Sequence, residues 1–178
     1  MRLPLLLVSL FLGPSVADAQ TIYLTPSEAL KLVFKDSEKV VSEEKRLSLD
    51  QKREIEKSLG TPLAKKETWT FYVGRSGKRV DGYALIDQEI GKTEQITFLT
   101  AIAPDGKVQQ VEILVYREPI GSEVKERRFL KQYEGKGPEA PMRLEQDIAN
   151  VTGATMSSRA VTQGVRRALL LWKVFYGK

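Results

Sequence analysis

Between Trp69 and Val115 the apolar residues return at every second position, and this alternation decides most of what the chain can fold into. Trp69, Phe71 and Val73 form one such set, Ile96, Phe98, Thr100 and Ile102 a second, and Val111, Ile113 and Val115 a third. Val80 to Ile86 reads as a further strand between the first two sets. A period of two lines up these side chains on one face of a sheet, and that face must then be covered. Turn chemistry separates the runs. Gly74-Arg75-Ser76-Gly77 is one turn, and Ala103-Pro104-Asp105-Gly106 is another, in which Pro presets one φ and Gly accepts a positive one. Four strands with short connections predict an antiparallel meander.

Helical spacing supplies the cover. Thr25-Pro26-Ser27-Glu28 is a capping box with Pro at the first helical position, opening a helix to about Lys35. Ser48-Leu49-Asp50-Gln51 is a second capping box, and its helix stops at Gly60. Val40-Val41 and the residues after them suggest a short strand between these helices. Ser122 to Tyr133 reads as a helix ended by Gly135-Lys136-Gly137-Pro138. Ser157/Ser158 to about Tyr176 reads as a long terminal helix with Val161, Val165, Ala168, Leu169, Trp172 and Phe175 as its apolar stripe. The expected class is α+β, an antiparallel β-meander covered by helices with the long C-terminal helix on the sheet.

Residues 1–19 read as a secretory signal peptide. Arg2 precedes the apolar run Leu3 to Gly13, and Ala17-Asp18-Ala19 is an A-x-A site before Gln20. That run is too short to span a bilayer as a helix. The expected organisation is therefore a leader over 1–19, an N-terminal helical region over 20–66 and a second region over 67–178, exported to the periplasm.

Composition then narrows the chemistry. The 178 residues include no Cys and no His. Disulfides, thiol nucleophiles, thiolate-held clusters, imidazole bases and ordinary zinc or copper sites are excluded. No metal site is expected, and any redox chemistry needs an organic cofactor. The net charge of +5 permits acidic partners or a membrane surface, but nucleic acid is not an expected partner of an exported chain. Gly74 to Lys78 lacks phosphate-loop spacing, and Glu123, Glu126 and Glu134 interleave with Arg127-Arg128 as on a solvated face. Glu43-Glu44 lies in polar surroundings, without the apolar setting that would make it an acid–base pair.

One segment stands apart. Thr152, Gly153, Ala154, Thr155, Met156, Ser157 and Ser158 form a run of small and hydroxylated residues immediately before the longest helix. The start of a helix carries unpaired N–H groups and the positive end of the macrodipole, which favour an anion. Gly153 and Ala154 leave room for a phosphate, Thr155 offers a hydroxyl, and Ser157 and Ser158 offer further donors. An ordinary N-cap accounts for Ser and Thr at this position as well.

This run resembles the S/T-G-A-T-x-S/T-S flavinylation motif of the bacterial FMN-binding domain. That domain occurs in the covalent-FMN subunits of sodium-pumping NADH:quinone oxidoreductase and Rnf-type complexes, and in free-standing exported flavoproteins. The similarity continues upstream. Tyr116-Arg117-Glu118-Pro119-Ile120-Gly121 is similar to the E-T-P-G-x-G-type loop near the flavin, though without the Thr and Gly that flank Pro there. Phe129 to Lys136 is similar to the F-x-x-Q-F-x-G-K that follows. The resemblance implies FMN joined to Thr155 through a phosphoester by an ApbE-type flavin transferase. It implies cofactor contacts from Thr152, Gly153, Ala154, Ser157, Ser158, Glu118 and Gly121. The family has an Asp three residues before the S/T of its core. Ala149 stands there, with Asp147 and Asn150 as candidates to take its part.

The resulting expectation is an exported flavoprotein (through its phosphoester also a phosphoprotein). It would relay electrons between donor and acceptor proteins, with a membrane electron-transport complex among them. A small FMN-dependent reductase and a non-flavinylated binding or assembly module of the same fold are the alternatives.

Overall fold

The expected meander forms the middle of a wider sheet. In the structure, a computed structural model that describes residues 21–63, 66 and 68–177, four strands follow one another in sequence and in space. They are β3 (Thr68–Ser76), β4 (Arg79–Ile90), β5 (Gln95–Ile102) and β6 (Val108–Tyr116). One line across them reads Phe71, Leu85, Thr100, Val111, the alternating positions of the sequence brought side by side. The leader expected over 1–19 lies outside the described residues.

The stretch 20–66, expected to be helical, also supplies both edges of the sheet. β1 (Thr21–Ile22) pairs with β6 opposite Tyr116 and Val115. β2 (Lys39–Arg46) pairs along β3 from Lys39 opposite Arg75 to Arg46 opposite Thr68. The full order is β1-β6-β5-β4-β3-β2, all antiparallel. The short strand expected from Val40-Val41 onward is β2, longer than its apolar residues announce, because charged side chains are how an edge is kept from pairing further.

Helices cover the two faces. On one, α4 (Thr155–Tyr176) lays Val161, Val165, Ala168 and Leu169 against Phe71, Leu85, Phe98 and Ile102, joined by Ile55 and Leu59 of α2 (Leu49–Leu59). Gly164 permits that approach, since a Cβ there would lie 2.0 Å from Phe98 Cζ. Arg167 of α4 is buried between Asp87 at 2.8 Å and Glu89 at 2.6 Å, so it belongs to the helix–sheet contact. On the other face, α1 (Pro26–Val33) packs Ala29 and Val33 with Phe34 onto Ala84, Leu99, Ala101 and Leu114.

The helix expected over 122–133 is three short pieces. These are a 3₁₀ turn at Ser122–Lys125, α3 (Arg127–Leu130) and a second 3₁₀ turn at Lys131–Tyr133. Glu126, with ψ 138°, is extended between the first two. Val124, Phe129, Leu130 and Tyr133 are all buried. Five residues of helix would turn Phe129 about 140° away from Val124, so the chain breaks to bring both inward.

Candidate functional site

The long helix begins two residues earlier than its periodicity suggests, at Thr155, and the loop before it is a tight turn. Ala154 N–H donates to Val151 O at 2.9 Å, and Gly153, at the third place of that turn, has φ +79°. A positive φ there is the requirement of a type II turn, which selects Gly. Gly153 is exposed, and a Cβ on it would meet nothing within 4 Å.

The N-cap is Ala154, which has no side chain to cap with. The first hydrogen bond into the helix is Ser158 N–H to Ala154 O at 2.8 Å. The N–H groups of Thr155, Met156 and Ser157 therefore have no partner among the described residues. The hydroxyl residues do not cap this helix, and the positive end of its dipole is open.

Ser157 and Ser158, expected as further donors to a phosphate, point inward instead. Tyr116 Oη donates to Ile120 O at 2.6 Å, so the 2.9 Å contact with Ser157 Oγ leaves the serine as donor to the phenol. Burial holds the Tyr116 phenol above its ordinary pKa, against the lowering effect of Ser157, so it stays a neutral donor. Ser158 Oγ accepts from Val151 N–H at 3.3 Å and pins the turn to the helix. Both serines are buried.

Gly121 and Ala154 meet directly. Gly121 has φ +86°, and a Cβ on it would lie 2.8 Å from Ala154 Cβ and 2.9 Å from Tyr116 Oη. The loop after β6 can press against the start of α4 only because both residues are small. Ala154 is therefore small for packing rather than to admit a ligand. Glu118, from the same loop, is committed elsewhere. Its buried carboxylate accepts from Thr93 N–H at 2.7 Å, Glu94 N–H at 3.0 Å, Thr93 Oγ1 at 3.1 Å and Lys92 N–H. Burial would raise its pKa, but the N–H groups of Glu94, Thr93 and Lys92 outweigh burial and keep it low. Glu118 holds the β4–β5 turn, and none of its hydrogen bonds reaches the start of α4.

Thr155 is half-buried, and its Oγ1 accepts from Asn150 Nδ2 at 2.8 Å. Thr152 is exposed beside it in the turn. Asp147, the other candidate for the missing family Asp, is tied to Arg143 through the Arg143 N–H at 2.8 Å and Nε at 2.9 Å. Those contacts with Arg143 lower its pKa. Gln132, within the stretch similar to F-x-x-Q-F-x-G-K, grips the main chain of Ala149. Its Oε1 accepts from Ala149 N–H at 2.7 Å and its Nε2 donates to Ala149 O at 3.2 Å. Asn150 also lines a cleft of about 320 Å³ between residues 123–132 and the loop 149–152.

Thr155, Thr152, Gly153 and Gly121 thus gather around the open end of α4, while Ala154, Ser157 and Ser158 hold it together from within. Glu118 stands apart. The donor set fits a phosphate group: three N–H groups without partners among the described residues, a positive helix end, an open approach over Gly153 and an accessible hydroxyl. Among the described residues, no cluster of metal-binding side chains occurs, and no helix is long and apolar enough to cross a membrane.

Comparison with known proteins finds relatives in sequence and in fold. One component of the proton-translocating ferredoxin:NAD(+) oxidoreductase complex of Clostridium ljungdahlii is 30% identical over 120 residues, covering 63% of this chain. The chain spans 63% of that relative's length. The crystal structure of Shewanella oneidensis NqrC superposes with a TM-score of 0.59 over 84% of this chain and 87% of that one, at 16% identity, and so shares its fold. Residues 91–170, from the turn held by Glu118 through the first sixteen residues of α4, match the family described as the FMN-binding domain.

Proposed function

We propose that the chain is an exported electron carrier with FMN esterified to Thr155. The observation that carries this reading is the Thr155 hydroxyl at the uncapped start of α4, beside three N–H groups without partners among the described residues. Those N–H groups hold the phosphate, Thr155 tethers it, and the turn at Gly153 keeps its approach open. When bound, FMN supplies the electron transfer that a chain without Cys and His has no ligand chemistry to support. A covalent tether suits an exported protein, which would otherwise lose its cofactor by dissociation. The signal-like residues 1–19 support placement in the periplasm.

The Clostridium ljungdahlii relative, a component of an oxidoreductase complex, supports a place beside a membrane electron-transport complex, passing electrons between a donor and an acceptor protein. An ApbE-type flavin transferase makes the attachment. The test is to export the chain together with such a transferase, then denature it fully and separate it from small molecules. Flavin fluorescence that stays with the polypeptide supports the reading. A colourless polypeptide contradicts it.

A further inference from the structure

We propose that Asn150 is the positioning residue that presents the Thr155 hydroxyl for esterification, with its own backbone held in place by Gln132. The inference rests on the covalent reading above. Asn150 Nδ2 donates to Thr155 Oγ1 at 2.8 Å, while Gln132 bonds both the N–H and the C=O of the residue immediately before Asn150. Asn150 Oδ1 is buried without a partner among the described residues, so the contact with Thr155 is the one hydrogen bond of this amide there.

The sense of the hydrogen bond matters. Because Oγ1 accepts from Asn150, the threonine's own proton and its remaining lone pair are left to face the incoming phosphate. Free FMN does not condense with an alcohol in water, so the phosphate must arrive as the anhydride of a flavin dinucleotide. The Oγ1–P bond forms and the anhydride P–O bond breaks. The nucleoside monophosphate leaves with that electron pair, and the hydroxyl proton must go to a base. A carboxamide cannot take it. Ala149 carries no acid–base group, and Asp147 is engaged by Arg143. Glu123 and Glu126 line the cleft beside Asn150 but make no hydrogen bond to Thr155, so the proposal places the base on the transferase and gives Asn150 orientation alone.

The experiment uses the purified chain, an ApbE-type transferase and flavin adenine dinucleotide, with initial attachment rates read by intact mass and folding followed by thermal melts. Asn150→Ala is expected to lower the rate about tenfold or more, as loss of orientation does, with the melt little changed. Asn150→Asp places a charge against the reacting oxygen, so its rate relative to wild type is expected to rise as the pH falls and the acid regains a donor proton. An Asn150→Ala rate equal to wild type, or an Asn150→Asp ratio flat with pH, overturns the proposal. A third arm needs no flavin: in the unmodified protein, Thr155→Val should shift the Asn150 side-chain amide resonances, and unmoved signals also overturn it. If the wild type itself gains no mass, the covalent reading fails and this inference fails with it.

Discussion

Two places in this molecule gather three successive backbone N–H groups, and they are finished in opposite ways. At residues 92–94 the N–H groups converge on the carboxylate of Glu118, an anion the chain brings from the loop beyond β6. At residues 155–157 they face outward at the start of α4, and the described residues bring nothing to them. The other long helices make the contrast sharper. α1 and α2 each begin with a complete capping box, from Thr25 with Glu28 and from Ser48 with Gln51. Among the described residues α1 and α2 are capped and the cluster at 92–94 is filled by the chain's own carboxylate, so the uncapped start of α4 is where the proposed phosphate would sit.

Removing the acceptor at the open cluster has the largest expected effect. Thr155→Val should abolish covalent flavin entirely while costing less than about 1 kcal/mol of stability, because only one hydrogen bond is lost from a half-buried side chain. Denaturing-gel fluorescence and a thermal melt read the two halves of that statement. Emptying the filled cluster should do the reverse. Glu118→Ala strands three N–H groups and is expected to cost about 3 kcal/mol in denaturant unfolding.

Glu118→Gln keeps an acceptor and gives up the charge, at about 1–2 kcal/mol near neutral pH. Its pH dependence has a definite sign. The folded carboxyl has a lowered pKa, so its contribution is complete above its ordinary value of 4.5 and disappears as pH falls through the lower folded value. The stability gap between wild type and Glu118→Gln should be level above that pH and close below it, in parallel unfolding curves at each pH. The smallest effect belongs to a capped end. Ser48→Ala should cost about 1 kcal/mol in the same unfolding measurement and leave attachment at Thr155 unchanged.

Local chemistry was legible in the sequence, and partnership across the chain was not. The two capping boxes and the Pro104-Asp105-Gly106 turn, with Gly106 at φ +84°, depend on residues three or four apart and appear as read. The edge strand Lys39–Arg46 is legible only as a short strand from Val40-Val41 onward, because one row of pairing and an exposed face leave little hydrophobic signal. The resemblance implies a cofactor contact at Glu118. Its partners lie 24 to 26 residues earlier and are backbone N–H groups, which no side-chain pattern announces. Ser157 and Ser158 were read as facing a phosphate. Their direction is set by Tyr116 and by the main chain of Val151, known only once the turn at Gly153 is built. The sequence makes Asn150 a candidate to take the part of the missing family Asp, but only the fold reveals that it bonds the Thr155 hydroxyl and that Gln132 holds the loop beside it.

Locating the flavin on the chain is the most direct test of the central claim. The protein exported with its transferase is digested, and the peptide spanning Val151 to Arg159 is fragmented by mass spectrometry. The account predicts that the mass of one FMN phosphoester sits on Thr155. Flavin mapped to Thr152, Ser157 or Ser158, or a peptide that carries none, would contradict it.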